Sequence, residues 1–393
     1  MRVSHLSVSD FRNYRHSEVV FKPGLNLIIG RNGQGKTNLV EAISYFSSLS
    51  SHRVSSDTAL IRESSEQAIL RMRIAVKERE ALCEVQLNAH GRNRAQLNKN
   101  PVHPRELTQW FSSVLFAPED LMIIRGDPSA RRQFIDHCLV LLKPHFTSVL
   151  SDYDRVLRQR TTLLKTARSS RMSSDFQTTL DVWNEQLVQL GSEIIVARRE
   201  LIQLLDSPVR SAYFSLVEQD HKPGLLMNES IFRDAERSSG SSTIDGSNVS
   251  RETIKTQFMN ELARVAPQEF DRGVTLVGPH RDDVIFTLRE LPVKGYASHG
   301  ETWSFALALR LGLSHLLKEQ SNYGDPVIIL DDVFAELDVR RRNALMSEVS
   351  SFEQVIVTAA VEEDVPEAHW HKIIVSAGEA EAVDIDDVSR ETF

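Results

Sequence analysis

The octapeptide Gly30-Arg31-Asn32-Gly33-Gln34-Gly35-Lys36-Thr37 narrows the folds open to this chain more than any other feature. It fits G-x-x-x-x-G-K-[ST]. Before it stands Leu25-Asn26-Leu27-Ile28-Ile29, an apolar run of buried-strand type, and after it Leu39, Val40, Ile43 and Phe46 recur at helical spacing. Strand, glycine-rich loop and helix in that order are the context the motif needs. Glycines let the backbone curl so that its N–H groups face phosphate oxygens. Lys36 is placed to reach the β- and γ-phosphates, and Thr37 to put its hydroxyl on Mg2+. The helix N-terminus adds partial positive charge. All eight residues are therefore the expected binding set for ATP. A glycine-rich turn that binds nothing is the plain alternative.

A second motif, Val327-Ile328-Ile329-Leu330-Asp331-Asp332, reads as a buried strand ending in two acids. Asp331 at the strand end is expected beside the loop, holding the metal through water. Asp332 points the other way on a regular strand, and a bend there lets it polarise the attacking water. An acid pair that only caps a helix is the simpler reading. Upstream, Ala297-Ser298-His299-Gly300-Glu301 precedes a helical stretch at 301–318. A Ser-x-Gly turn at a helix start presents a hydroxyl and bare N–H groups, which suits a phosphate. Ala335-Glu336-Leu337-Asp338 follows the acid pair.

Around these motifs the chain reads as α/β. Strands are expected through Val3, Leu6 and Val8, at Val19–Phe21, at 67–76 and 81–88, at 273–278 and 284–288, and at Val355-Ile356-Val357. From about Pro128 to about Leu205 apolar residues keep helical spacing, broken by the polar Ser169–Ser174. This predicts a helical hairpin with charged outer faces. Serines and glycines from Ser238 to Ser247 predict a flexible loop. The expected division is 1–118 and 272–393 as two parts of one head, with 119–271 as an inserted helical lobe.

Composition sets the remaining bounds. The 393 residues are 41% hydrophobic and 25% charged, an ordinary globular balance. No apolar run approaches the roughly 20 residues of a membrane span, and MRVSHLSVSDFRNY lacks the apolar core of a signal peptide. Cys83 and Cys138 suggest neither a metal knuckle nor a disulfide framework, so a reducing, cytoplasmic setting is expected. A net charge of −8 argues against DNA binding by bulk charge, while leaving room for a local basic face. Candidates for such a face are Arg92, Arg94, Lys99 and Arg105 in the strand-rich part, with Arg131 and Arg132 at the start of the helical stretch. Any one of them alone reads as a solvated surface charge.

In order and spacing, the serine-glycine turn, the acid-ending strand and Ala335–Asp338 resemble the signature, Walker B strand and D-loop of the ATP-binding-cassette superfamily. Five blocks sharpen that likeness: Leu6 through Tyr14, Phe116 through Leu121, Arg131 through Asp136, Gly278 through Asp283, and Leu330 through Asp338. Together they resemble the RecF family of bacterial recombination mediators, in the SMC/Rad50-like branch. The resemblance implies an ABC-type ATPase head with a helical second lobe. It implies ATP-driven dimerisation, with Ser298, Gly300 and Glu301 of one copy closing over the γ-phosphate held by another, and Arg12 and Asn13 near the phosphates and base. It further implies binding to gapped and single-stranded DNA, work with RecR and RecO in loading RecA, and support of SOS induction. Three positions depart from the pattern. Glu301 replaces a glutamine, Thr358 and Ala359 stand where a switch histidine is usual, and Glu119 or Asp120 occupies the neighbourhood of the Q-loop glutamine. Slow hydrolysis is the expectation that follows. A transporter ATPase subunit, or a small-molecule kinase, shares the loop but not this combination of features.

Overall fold

The computed structural model describes residues 1–54, 56–77, 79–169, 174–232, 250–321 and 324–383. Residues 170–173 of the expected polar break, and the whole Ser238–Ser247 loop, lie outside that set. The described chain forms two compact units. The first comprises Met1–Leu121, Pro208–Asp220 and Trp303–Phe393, as far as these are described. The second comprises Met122–Ser207 and His221–Thr302. The segment Ala297–Glu301 thus belongs to the second unit and the acid-ending strand to the first.

The first unit holds two six-stranded sheets. One is antiparallel, built from β1 (Arg2–Phe11), β2 (Tyr14–Val20), β4 (Gln67–Val76), β5 (Arg79–Asn88), β6 (Arg94–Leu97) and β7 (Asn100–Val102), in the order β2-β1-β4-β5-β6-β7. The other has the order β15-β14-β3-β13-β12-β8. Its strands are β3 (Gly24–Ile29), β8 (Ser113–Phe116), β12 (Val327–Asp331), β13 (Gln354–Ala359), β14 (His371–Ser376) and β15 (Glu379–Val383). All its pairs are parallel except the β14–β15 hairpin. Parallel strands are covered on both faces, which is why every residue of β12 and β13 is buried and apolar residues run on without alternation. The antiparallel strands alternate, with Val3, Leu6 and Val8 inward on β1 and Leu70, Met72 and Ile74 inward on β4.

Between these faces lies α1 (Lys36–Ser48), whose Leu39, Val40, Ile43 and Phe46 share one core with Val8, Leu70, Val327, Ile329 and Ile356. Burial takes in its polar residues Glu41, Ser44 and Ser47 as well, so α1 is packed nearly all round. The core therefore fixes α1 directly after β3, and the loop between them has little freedom to drift.

In the second unit, α2 (Pro128–Leu142) starts with proline at its first position, where the missing N–H costs nothing. It is followed by α3 (Phe146–Ser169), by α4 (Ser174–Val217), whose part from Pro208 on belongs to the first unit, by α5 (Arg251–Arg272) and by a small sheet. That sheet has the order β11-β10-β9, from β9 (Gly224–Asn228), β10 (Asp283–Leu288) and β11 (Leu291–Pro292). Tyr153 on α3, Leu187 and Ile194 on α4, and Phe258 and Leu262 on α5 share a core between these helices. The last labelled helices are α6 (His299–Gln320) and α7 (Val339–Val349).

Three expectations need correction. The strand predicted at Val19–Phe21 is the end of a longer β2 whose inward positions, Tyr14, Ser17 and Val19, include a serine that hides the alternation. The segment 273–278 is not a strand. Side chains hold its backbone instead: Glu269 accepts the Leu276 N–H at 2.7 Å and Ser230 Oγ accepts the Gly278 N–H at 2.8 Å. The helical stretch expected to end near Leu205 continues through Pro208 to Val217. Burial of Val209, Ala212, Tyr213 and Leu216 outweighs the lost proline N–H. Gly312 on α6 makes that packing possible, since a Cβ there would stand 2.7 Å from Val209 Cγ2.

Candidate nucleotide site

Ligands of open parallel sheets bind beyond the carboxyl ends of the strands. At that end, the loop Gly30–Gly35 joins β3 to α1, Asp331 closes β12, and Thr358 stands beside it in register on β13. Gly35 precedes the helix with φ 117, a conformation open to glycine, and a Cβ there would meet the Tyr14 hydroxyl at 2.6 Å and Asn13 Nδ2 at 2.7 Å. Asn13 pins the loop by donating to the Gln34 carbonyl at 3.0 Å and accepting from Asn38 Nδ2 at 2.7 Å. The Gln34 side chain in turn accepts the Ala377 N–H from the β14–β15 turn. Arg12 is committed elsewhere: its guanidinium donates twice to the buried Glu41, at 2.7 and 2.8 Å, and to the Ala59 carbonyl at 3.0 Å. In this structure it braces α1.

Lys36 is buried, and its ammonium lies 3.4 Å from Asn32 Oδ1, a long contact that yields readily to a stronger acceptor. Thr37 Oγ1 donates to Asp331 Oδ1 at 3.1 Å. A hydroxyl that donates its proton to Asp331 still offers its lone pairs to a cation, so Thr37 and Asp331 suit a shared Mg2+. Burial pushes the Asp331 carboxyl up to about 6. Donors from Thr358 and Thr37 pull it back, while the charges of Asp332 and Glu119 push it further. Asp332 has φ 51, so the backbone does bend at this residue, out of the strand and into the left-handed region. Asp120 is taken by structure: one oxygen receives Arg310 Nη2 at 2.6 Å and the other caps the Ala117 N–H at 3.1 Å. Of the two acids considered for the Q-loop role, Glu119 is the one whose charge reaches Asp331.

A carboxyl raised by burial costs stability in the ionised form. That cost is full above about pH 6 and fades as pH falls toward the unfolded value. Asp331→Asn should therefore raise the metal-free melting temperature at pH 7.5, from a gain on the order of 3 kcal/mol. The gain should shrink as the pH is lowered to 5, and differential scanning calorimetry in EDTA reads both effects.

The serine turn is built in the second unit. Ser298 and Glu301 form a reciprocal capping box at the start of α6: Glu301 Oε2 accepts the Ser298 N–H at 2.8 Å, and Ser298 Oγ accepts the Glu301 N–H at 3.3 Å. Arg289 adds a bond to Glu301 Oε1 at 2.7 Å. The Ser298 N–H, helped by Arg289 and opposed by partial burial, sets the Glu301 carboxyl down at about 2. The unusual carboxylate is thus neutralised within its own unit. Gly300 sits in the first turn of the same helix.

Among the candidate DNA contacts, Arg92, Arg94, Lys99 and Arg105 are exposed, and the first three are strung along and around β6. Arg131 is buried and Arg132 half-buried, and both are bonded within the second unit. Arg131 is 7% exposed in its side chain, doubly bonded to Asp283 at 2.7 and 3.0 Å and bonded to the Gly126 carbonyl. Arg132 donates to the Asp282 carbonyl at 2.7 Å. They tie α2 to the segment Gly278–Asp283. Arg198 joins the same network, bonding Asp136 and the Pro279 carbonyl. Two of the blocks that carry the family likeness are therefore architectural. Sequence reasoning marked Thr358 only as a departure at the switch-histidine position and missed its bonds to Asp331 and the Asp332 N–H, for which its place at a strand end next to the acid pair was the available signal.

Comparison with known proteins agrees with this geometry. The family model described as RecF/RecN/SMC N terminal domain matches residues 2–381. A Leifsonia xyli subsp. xyli protein named DNA replication and repair protein RecF is 53% identical over 380 residues, covering 96% of this chain and 98% of that one. The chain belongs to the RecF family. A RecF of Frankia alni is 46% identical over 384 residues, covering 96% and 99%. Among solved structures, the recombination mediator protein RecF-ATPrS of the RecFOR pathway superposes with a TM-score of 0.86 at 26% identity, covering 98% of each chain. An SMC head bound to the C-winged helix domain of ScpA, with a TM-score of 0.52 and 14% identity over 99% and 100%, shares the fold. The architecture is that of an SMC-type ATPase head, as the motifs predict. RecF-family membership sets aside the transporter-subunit and kinase readings.

Proposed function

We propose that this chain is an ATP-dependent, DNA-binding recombination mediator of replication and repair, acting in single-strand gap repair, RecA loading and SOS induction. The observation that carries the ATP part is the convergence of Thr37 and Thr358 on Asp331 at the mouth of the Lys36 loop. The RecF relative solved with ATPrS supports ATP as the ligand. Gly30 through Thr37 hold the triphosphate, Thr37 and Asp331 the Mg2+, and Asp332 orients the attacking water. A loop of this kind encloses one side of the triphosphate. Ser298 and Gly300 of a second copy cover the other side, so ATP acts as the adhesive of a homodimer and hydrolysis releases it.

DNA, single-stranded or gapped, is the partner that Arg92, Arg94, Lys99 and Arg105 fit. The RecFOR pathway named for the solved relative supports RecR and RecO as protein partners. A protein acting on bacterial DNA works in the cytoplasm. Among the described residues no helix is long and apolar enough to cross a membrane. In this reading hydrolysis is slow, since Thr358 and Ala359 stand where a switch histidine is usual and Glu119 or Asp120 near the place of a glutamine, and DNA stimulates it.

Two measurements test this reading. Steady-state turnover without DNA should fall well below the roughly 10 s⁻¹ of a median enzyme, and fast turnover would contradict it. DNA affinity should fall linearly in log–log form with salt. Each of Arg92, Arg94, Lys99 and Arg105 changed to alanine should flatten that slope by up to about 1. A flat slope in the wild type would remove the electrostatic interface.

A further inference from the structure

Thr358, the last residue but one of β13, is buried opposite Asp331 on β12. Its hydroxyl donates to Asp331 Oδ1 at 2.6 Å and accepts the Asp332 N–H at 3.0 Å. A hydroxyl has one proton and two lone pairs, so it satisfies both groups at once. Asp331 Oδ1 also receives Thr37 Oγ1, so one carboxylate oxygen is held from two sides.

Asp332 is held in a conformation that is costly for a non-glycine residue, by about 1–2 kcal/mol. A regular strand would turn Asp331 and Asp332 to opposite faces. The left-handed residue breaks that alternation, and its N–H is accepted by the Thr358 hydroxyl.

We propose that Thr358 is a positioning residue that acts on both acids of the acid-ending strand. Through Asp331 Oδ1 it aims the other carboxylate oxygen at the cation. Through the Asp332 N–H it fixes the bend that brings Asp332 round to the attacking water. A fixed hydroxyl between the acids thus lies in the pair Thr358-Ala359 that stands in place of a switch histidine, and it couples the metal to the water by geometry. It touches neither substrate nor metal. This inference rests on the ATPase reading above and adds a residue to it.

The test uses the full-length protein with Thr358→Val, which keeps the shape and removes the hydroxyl, and Thr358→Ser, which keeps the hydroxyl. Loss of a hydrogen bond to a charged group predicts that Thr358→Val lowers kcat about 10- to 100-fold. ATP affinity measured in EDTA stays unchanged, because the Lys36 loop is intact, and the Mg2+ concentration for half-maximal rate rises. Thr358→Ser restores rate and Mg2+ requirement. Should the valine variant not fold, Thr358→Ala takes its place with the same expected result. A wild-type rate and Mg2+ requirement without the hydroxyl would overturn the proposal, as would a serine variant that fails as the valine variant does. If the wild type shows no Mg2+-dependent hydrolysis, the ATPase reading falls. The extra thermal shift from Mg2+ over ADP alone, kept in serine and lost in valine, then still decides the role of Thr358.

Discussion

Lys36→Met should weaken ATP binding by about 10- to 150-fold, the equivalent of losing a hydrogen bond to a charged group. The substitution keeps the length and apolar stem of the side chain, so the packing of α1 against β3 survives and the melting temperature should change little. What disappears is the ammonium, whose present partner, Asn32 Oδ1 at 3.4 Å, is too distant to contribute much stability. The ammonium is thus left with donors for a stronger acceptor. Calorimetric titration with ATP measures the effect, and unchanged affinity would mean that the loop does not hold the triphosphate.

The largest expected stability effect lies in the second unit. Arg160→Met should cost about 3–5 kcal/mol, because it strands a buried carboxylate. Arg160 is 1% exposed in its side chain and ties three helices together. From α3 it donates to Asn184 Oδ1 on α4 at 2.8 Å, to Thr275 Oγ1 at 2.8 Å and to Glu269 Oε2 on α5 at 2.6 Å. Without it, Glu269 keeps the Leu276 N–H at 2.7 Å but loses its countercharge. The double variant Arg160→Met/Glu269→Leu should recover much of the loss, since a buried pair exchanged for packed apolar groups is often neutral. Urea denaturation of the single and double variants gives the comparison. A single variant within about 1 kcal/mol of wild type would show that the pair is not the tie described here.

Both residues illustrate what the chain discloses before folding. Lys36, Thr37 and Asp331 were legible because their chemistry depends on strand ends and a helix start, which apolar runs and glycines mark locally. Arg131 and Arg160 were not, because a charge looks solvated until its partner, more than a hundred residues away, is brought to it. The bend at Asp332 was open in the sequence, and the N–H bond to Thr358 is what supports it. Glu301 looked like an intruder beside a phosphate. Its spacing from Ser298 is that of a capping box, and together with Arg289 this explains how the carboxylate is accommodated. The segment 273–278 misled because Val274, Leu276 and Val277 are apolar like a strand. Its backbone groups, however, are claimed by Glu269 and Ser230.

The central claim is that one copy's Lys36 loop and another copy's Ser298 turn enclose the same triphosphate. Sedimentation velocity on Lys36→Met and Ser298→Arg, each alone and then mixed, with a nonhydrolysable ATP analogue, tests it most directly. Each variant alone should sediment as a monomer. The mixture should form a heterodimer, because the Ser298→Arg chain brings an intact loop and the Lys36→Met chain an intact turn. A Ser298→Arg protein that dimerises like wild type, or a mixture that stays monomeric while wild type dimerises, would contradict the account.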